Sequence, residues 1–307
     1  MNTHSKPEPS TESRLTFKIP QEAFDWYDEY AHGDIDRRTF IQRLATLGLA
    51  GLTLNAVAGA LLPNYALAEQ VSFNDPDIKA SYLEFDAPDG HGKGRGYLVV
   101  PSGVTAENPV AGVLVAHENR GLNPYIKDVA RRLAKAGYVA FAPDALYPLG
   151  GYPGNDDEGR AMQSTLERGK IEGDFVGAAK MLKAHELTTD KLGMVGFCFG
   201  GYLSNQLAAL LGADIAAAVP YYGTPPQADI TNIKAVLQLH FAGLDTRVNG
   251  TWPDYEAALK AAKAEYTAYT YPEVNHGFHN DSTARYDQAS AELAWQRTLE
   301  FFGQHLA

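Results

Sequence analysis

The chain has 307 residues, 37 acidic and 26 basic, for a formal charge of −11. That balance, with no basic run, argues against a nucleic-acid surface. A single cysteine excludes an intrachain disulfide framework and leaves either an inert buried thiol or a reactive one.

The first 68 residues differ in kind from the rest. Pro20 to Gly33 has the length and composition of a short helix. Asp36-Arg37-Arg38-Thr39-Phe40-Ile41 pairs two arginines ahead of apolar residues, and Leu44 to Ala68 carries no charge. Ala66-Leu67-Ala68 before Glu69 places small residues where a signal peptidase reads them. Together these resemble a twin-arginine export signal, which predicts a periplasmic protein and the export machinery as a partner. The uncharged run approaches spanning length, so an uncleaved membrane anchor stays open, as does a buried amphipathic helix with an incidental arginine pair. The domain boundary is expected at 68/69.

From residue 69 onward strands and helices alternate, the pattern of an α/β fold with a mostly parallel sheet covered on both faces. Ala80 to Asp86 and Gly94 to Pro101 read as a hairpin joined by a glycine-rich turn. Val110 to Ala116 is a buried-type strand, Tyr125 to Lys135 an amphipathic helix, and Tyr138 to Ala142 the next strand. A polar excursion follows from Pro143 to Lys170, and its segment 150–170 is read equally as a lid or a plain loop. Phe175 to His185 is helical, and Leu192 to Phe197 is a strand leading into Gly196-Phe197-Cys198-Phe199-Gly200-Gly201. Ile215 to Tyr221, Ala235 to Phe241 and Tyr266 to Tyr271 are further strands. Pro253 to Ala264 and Gln288 to His305 are helices.

The glycine-flanked cysteine marks a sharp strand-to-helix turn with a nucleophile at its tip. In parallel sheets, chemistry gathers at the carboxyl ends of strands. There the chain offers Cys198, then Asp245, then His276, the nucleophile–acid–histidine order of α/β-hydrolases. The imidazole would take the thiol proton and the carboxylate would fix the imidazole. His117-Glu118-Asn119-Arg120-Gly121, after another strand, suits the oxyanion loop. The backbone N–H groups of Phe199 and Asn119 are the expected donors, with Glu118 a carboxylate beside the thiol. A zinc site using Cys198 with His279 or His117 lacks the usual ligand spacing, and no metal or cofactor is expected.

These motifs, with Ala142-Pro143-Asp144, Tyr221-Tyr222-Gly223, Gly243-Leu244-Asp245 and His276-Gly277-Phe278, resemble the dienelactone hydrolase (carboxymethylenebutenolidase) family over residues 80–307. The resemblance implies an α/β-hydrolase fold and a Cys198–His276–Asp245 triad. It also implies that Glu118 holds the resting thiol and takes its proton when substrate arrives. The implied substrate is a small ester or lactone, cleaved through a thioester. Arg160, Tyr147 and Tyr222 are the implied substrate contacts. Family members also place an arginine four residues after the catalytic histidine, where this chain has Asn280. Two other classes stay open at this point: an envelope thiol that reacts with peroxide on a hydrolase scaffold, and a non-catalytic small-molecule binder.

Overall fold

The computed structural model describes residues 19–47 and 61–307. Contacts divide the chain into two units, Met1–Gly59 and Ala60–Ala307. Residues 61–68 thus group with the second unit, whereas the sequence reading placed the boundary at 68/69. Residues 48–60, the middle of the uncharged run, lie outside the described residues. No helix among the described residues is long and apolar enough to cross a membrane.

In the first unit, α1 (Gln21–His32) and α2 (Arg37–Thr46) form a helical hairpin. Gly33 caps α1 at φ 87°, and the Asp36 carboxylate caps α2 by accepting from the Thr39 N–H at 2.7 Å. Phe40 stacks on Tyr30 with ring centroids 5.1 Å apart. The paired arginines occupy the exposed first turn of α2.

The second unit opens with the short helix α3 (Tyr65–Ala68). Next come β1 (Ile78–Ala87), β2 (Gly92–Pro101), β3 (Val110–Ala116), α4 (Pro124–Lys135) and β4 (Val139–Pro143). After these lie α5 (Asp156–Gln163), α6 (Arg168–Lys183), β5 (Thr188–Phe197), α7 (Phe199–Leu211) and β6 (Ala217–Tyr221). The chain closes with β7 (Val236–Ala242), α8 (Thr246–Asn249), α9 (Trp252–Ala262), β8 (Tyr266–Tyr271) and α10 (Gln288–His305). The eight strands form one sheet in the order β1-β2-β4-β3-β5-β6-β7-β8. β1 and β2 pair antiparallel, β2 runs antiparallel to β4, and the other pairs are parallel. The fold is therefore the α/β arrangement expected from the sequence.

Strand alternation sorts the core into two layers. Leu114, Phe141, Met194 and Leu239 face one side and pack with Phe175, Leu182, Leu203 and Leu207 of α6 and α7. Val113, Val115, Val195 and Val219 face the other, against Ile126, Val129 and Leu133 of α4 and Phe302 of α10. Central strands covered on both faces must be apolar at every position, which is why β3 reads Val-Ala-Gly-Val-Leu-Val-Ala without alternation. Asn123 starts α4 by accepting from the Ile126 N–H, and Pro124 follows at the first helical position.

The polar excursion is not a plain loop, since it contains α5. Asn155 caps that helix through the Glu158 N–H at 2.8 Å. The sequence reading missed it because its eight residues show only a short apolar pattern.

His240 on β7 is fully buried, stacked on Tyr221 at 4.4 Å and bonded to Tyr271 and Gln238. Burial, aided by the Arg297 charge, lowers its pKa to about 3. The unfolded chain binds this proton below the ordinary value of 6.5, whereas the folded chain waits until about 3, so stability falls as pH drops between the two. His240→Gln is expected to flatten the loss of urea stability between about pH 6.5 and 4. Parallel wild-type and variant curves would contradict this.

Candidate active site

β5 ends at Phe197, and the chain reverses at Cys198 with φ 56° and ψ −112° before entering α7. That backbone is strained for any residue with a Cβ, and it lifts the side chain clear of both elements. The flanking glycines make the turn possible by close approach. A Cβ on Gly196 would sit 1.9 Å from the Gly200 carbonyl oxygen, and one on Gly200 would sit 2.1 Å from that of Ala116.

Asp245 follows β7 as the cap of α8. Its Oδ1 accepts from the Val248 N–H at 3.0 Å, which points Oδ2 at His276 Nδ1, 2.5 Å away. Both side chains are buried, so the pair is shielded from competing water. The His276 ring rests on Tyr222, with centroids 4.8 Å apart, and a His276 ring nitrogen lies within 4.8 Å of Cys198 Sγ. Three loops from three parallel strands thus bring Cys198, His276 and Asp245 together.

Glu118, just after β3, is 3% exposed. Its Oε2 accepts from Asn280 Nδ2 at 3.1 Å. Asn280 is itself aimed by Ser282, whose N–H and hydroxyl both donate to Asn280 Oδ1. Burial pushes the Glu118 carboxyl above its ordinary range. The positive charges of Arg120 and Arg285 oppose that rise, and the charge of Cys198 adds to it. Asn119 is half-buried beside it, and Phe199 opens α7.

The remaining sequence candidates divide. Tyr222 is buried in a left-handed conformation at φ 38°, and its hydroxyl has no hydrogen-bond partner among the described residues. Its charge environment includes Glu118, Arg285 and Cys198. Arg160 lies half-buried on α5, the helix whose Gly159 backs onto the Arg120 carbonyl. Tyr147 is not brought to the cysteine. Its hydroxyl donates to Glu84 on β1 at 2.8 Å, four strand positions from β5, or roughly 19 Å at the usual spacing. The histidines considered as metal ligands are structural. His117 Nδ1 meets the Glu118 carbonyl and its Nε2 accepts from the Ala145 N–H, while His279 Nδ1 pairs with Tyr125.

Two further residues border Glu118 that sequence reasoning did not single out. Arg285 is 6% exposed and lies under Gly277, where an added Cβ would come within 2.9 Å of its guanidinium. Asp156 forms a buried ion pair with Arg120 at 2.9 Å. Neither belongs to a motif; a buried arginine in a loop is a signal only once burial is known.

A thiol on a strained strand-to-helix turn, facing a carboxylate-bound imidazole over a parallel sheet, defines an α/β-hydrolase. Comparison with known proteins narrows the class. The dienelactone hydrolase family model matches residues 95–306, and the chain belongs to that family. A second family model, YqhI-like, matches residues 13–50. Among curated relatives, a "Putative carboxymethylenebutenolidase" of Synechocystis is 32% identical over 251 residues, covering 75% of this chain and 98% of that protein. The "Putative hydrolase fragment YghX" of Escherichia coli is 57% identical over 116 residues, 38% of this chain and 97% of the fragment. A crystal structure titled as a putative dienelactone hydrolase from Klebsiella pneumoniae superposes with a TM-score of 0.63 at 27% identity, covering 74% of this chain and 99% of that one. The protein is accordingly a hydrolase of esters or lactones.

Because Glu118 is more easily protonated in the folded chain than in the unfolded one, its ionised form opposes folding. The stability it contributes is present below the ordinary value of 4.5 and is lost as pH rises through the folded value. Glu118→Gln keeps an acceptor for Asn280 and removes the charge. It is expected to melt higher than wild type at pH 8, with the gain shrinking toward pH 4. Calorimetry at the two pH values checks the sign.

Proposed function

We propose that this chain cleaves an activated ester or lactone by a cysteine-nucleophile mechanism. The observation that carries the reading is the tight Asp245–His276 pair beside Cys198 at its strained turn. With Nδ1 committed to Asp245, Nε2 of His276 is the nitrogen that takes the thiol proton. Glu118, close enough to Cys198 for their charges to interact, shares in forming the thiolate. The thiolate attacks the carbonyl carbon, and the oxyanion rests on the N–H groups of Phe199 and Asn119. The acyl–oxygen bond then breaks, and the leaving oxygen receives the proton from His276. His276 next deprotonates water, which cleaves the thioester and regenerates the thiol.

A thiolate departs from a tetrahedral centre more readily than an alkoxide. The substrate therefore needs a good leaving group, such as an enolate. The buried Tyr222 hydroxyl and the half-buried Arg160 are the substrate contacts of this reading.

A panel of enol lactones and activated aryl esters tests the assignment. Cys198→Ala and His276→Ala are each expected to lower kcat by about 1,000-fold or more, with Asp245→Asn also strongly impaired. Equal rates in wild type and Cys198→Ala would remove the nucleophile role. The peroxide-sensor alternative predicts sulfenic acid at Cys198 with no dependence on Asp245.

Location is a separate proposal. The Arg37-Arg38 pair followed by an uncharged run supports twin-arginine export, with membrane anchoring as its uncleaved form. Cell fractionation is expected to find the chain in the periplasm or membrane, and Arg37→Lys/Arg38→Lys in the cytoplasm. A cytoplasmic wild-type protein would dismiss the export reading.

A further inference from the structure

Residues 64–71, which the sequence reading assigned largely to a removable leader, are tied into the hydrolase domain along their length. The Asn64 N–H donates to the Ser282 carbonyl at 2.6 Å. At the other end, the N–H groups of Gln70 and Val71 donate to the Asp128 carboxylate, and Arg131 Nε donates to the Val71 carbonyl at 2.5 Å. Between these anchors the Tyr65 ring packs on the core layer that includes α4. Its hydroxyl donates to Asp156, 2.7 Å and 2.8 Å from the two carboxylate oxygens, and accepts from Asn123 Nδ2 at 2.9 Å.

Both attachments lead toward Glu118. Asp156 receives Tyr65, Tyr152 and Arg120, and Arg120 lies two residues beyond Glu118. Asn123 lies three residues further on, so the Tyr65 hydroxyl links the far end of the oxyanion loop to α5. The same helix grips the loop again, since the Gly121 N–H donates to Gln163 Oε1 at 3.2 Å. On the other side, Ser282, whose carbonyl holds Asn64, directs Asn280 onto Glu118.

We propose that Tyr65 is a positioning residue for the reaction: through Asp156 and Arg120 it sets the charge and placement of Glu118 and the Asn119 N–H, and the segment bearing it is retained in the active enzyme. The inference rests on the cysteine-nucleophile reading. It carries a consequence for maturation. Cleavage after Ala68 would remove Tyr65, which takes one donor from the buried Asp156 carboxylate, leaving it Tyr152 and Arg120, and strips Asn123 Nδ2 of the hydroxyl it donates to, a costly change for desolvated polar groups.

The test uses the full chain, with Tyr65→Phe, Asp156→Asn and the double variant. Tyr65→Phe keeps the ring and loses only the hydroxyl. It is expected to lower kcat about fivefold, the scale of one net hydrogen bond, with KM within about twofold of wild type. The double variant should be no slower than Asp156→Asn alone, because the two residues act in series. A second readout needs no turnover: the rate of Cys198 alkylation by iodoacetamide against pH. Without the hydroxyl, Asp156 draws Arg120 away from Glu118, so the acid limb of that profile should move to higher pH. The intact mass of active protein isolated from cells should include Tyr65.

A Tyr65→Phe protein with wild-type kcat and a superimposable alkylation profile would overturn the inference, as would a fully active form beginning at Glu69. Should Tyr65→Phe not yield folded protein, an unshifted profile in Asp156→Asn overturns it instead. A wild-type thiol inert to iodoacetamide at every pH is a different result; it removes the nucleophile reading and this inference with it.

Discussion

The backbone of Cys198 is the constraint on which the rest of this site depends. A residue with a side chain is held at positive φ because strand, turn and helix close up around it. The closure works only where Gly196 and Gly200 let carbonyls approach to distances no Cβ allows. Strain of this kind costs on the order of 1–3 kcal/mol and persists because packing on both sheet faces outweighs it. In return the thiol stands at the carboxyl edge of the sheet, with the first turn of a helix behind it. Glu118 arrives at that edge from β3, Asp245 from β7 and His276 from β8.

The electrostatics follow from burial. Asp245 and His276 share a short bond away from water, so the imidazole keeps one tautomer and one orientation. Glu118 lies deeper than a carboxylate ordinarily does, and its environment is a balance rather than a neutralising ion pair. A neutral amide donates to it, and two guanidinium charges pull against desolvation. In the cysteine mechanism proposed above, a carboxyl balanced in this way is the group that exchanges a proton with the thiol. Asn280 gives Glu118 a neutral donor, and Arg120 and Arg285 supply the positive charge that opposes its burial.

Hydrogen bonds join the surroundings of Glu118 to chain segments far away in sequence. α5 arises inside a polar stretch and holds the loop after β3 through Asp156 and Gln163, with Gly159 close against the Arg120 carbonyl. Residues 64–71 grip α5 in turn. The stretch read as either lid or loop therefore also acts as a brace, joined to residues 120 and 121 by the Asp156–Arg120 ion pair and by the Gly121 N–H donating to Gln163.

Much of this was legible in the chain itself. The buried strands announce themselves as continuous apolar runs. Cys198, Asp245 and His276 each follow a strand, and the parallel pairing of β5 through β8 sends those strands' carboxyl ends to the same edge. What the sequence could not decide were the contacts between distant polar residues. Nothing in local pattern tells whether Tyr147 or Tyr222 turns toward the thiol, or that Arg285 is buried. Nor does it show that Tyr65, in a stretch with the composition of an export signal, completes a buried network with Asp156 and Asn123. Periodicity encodes which face of an element is apolar, and motifs encode backbone turns. The partner of a buried hydroxyl or carboxylate depends on which loops meet, and only the assembled tertiary structure decides that.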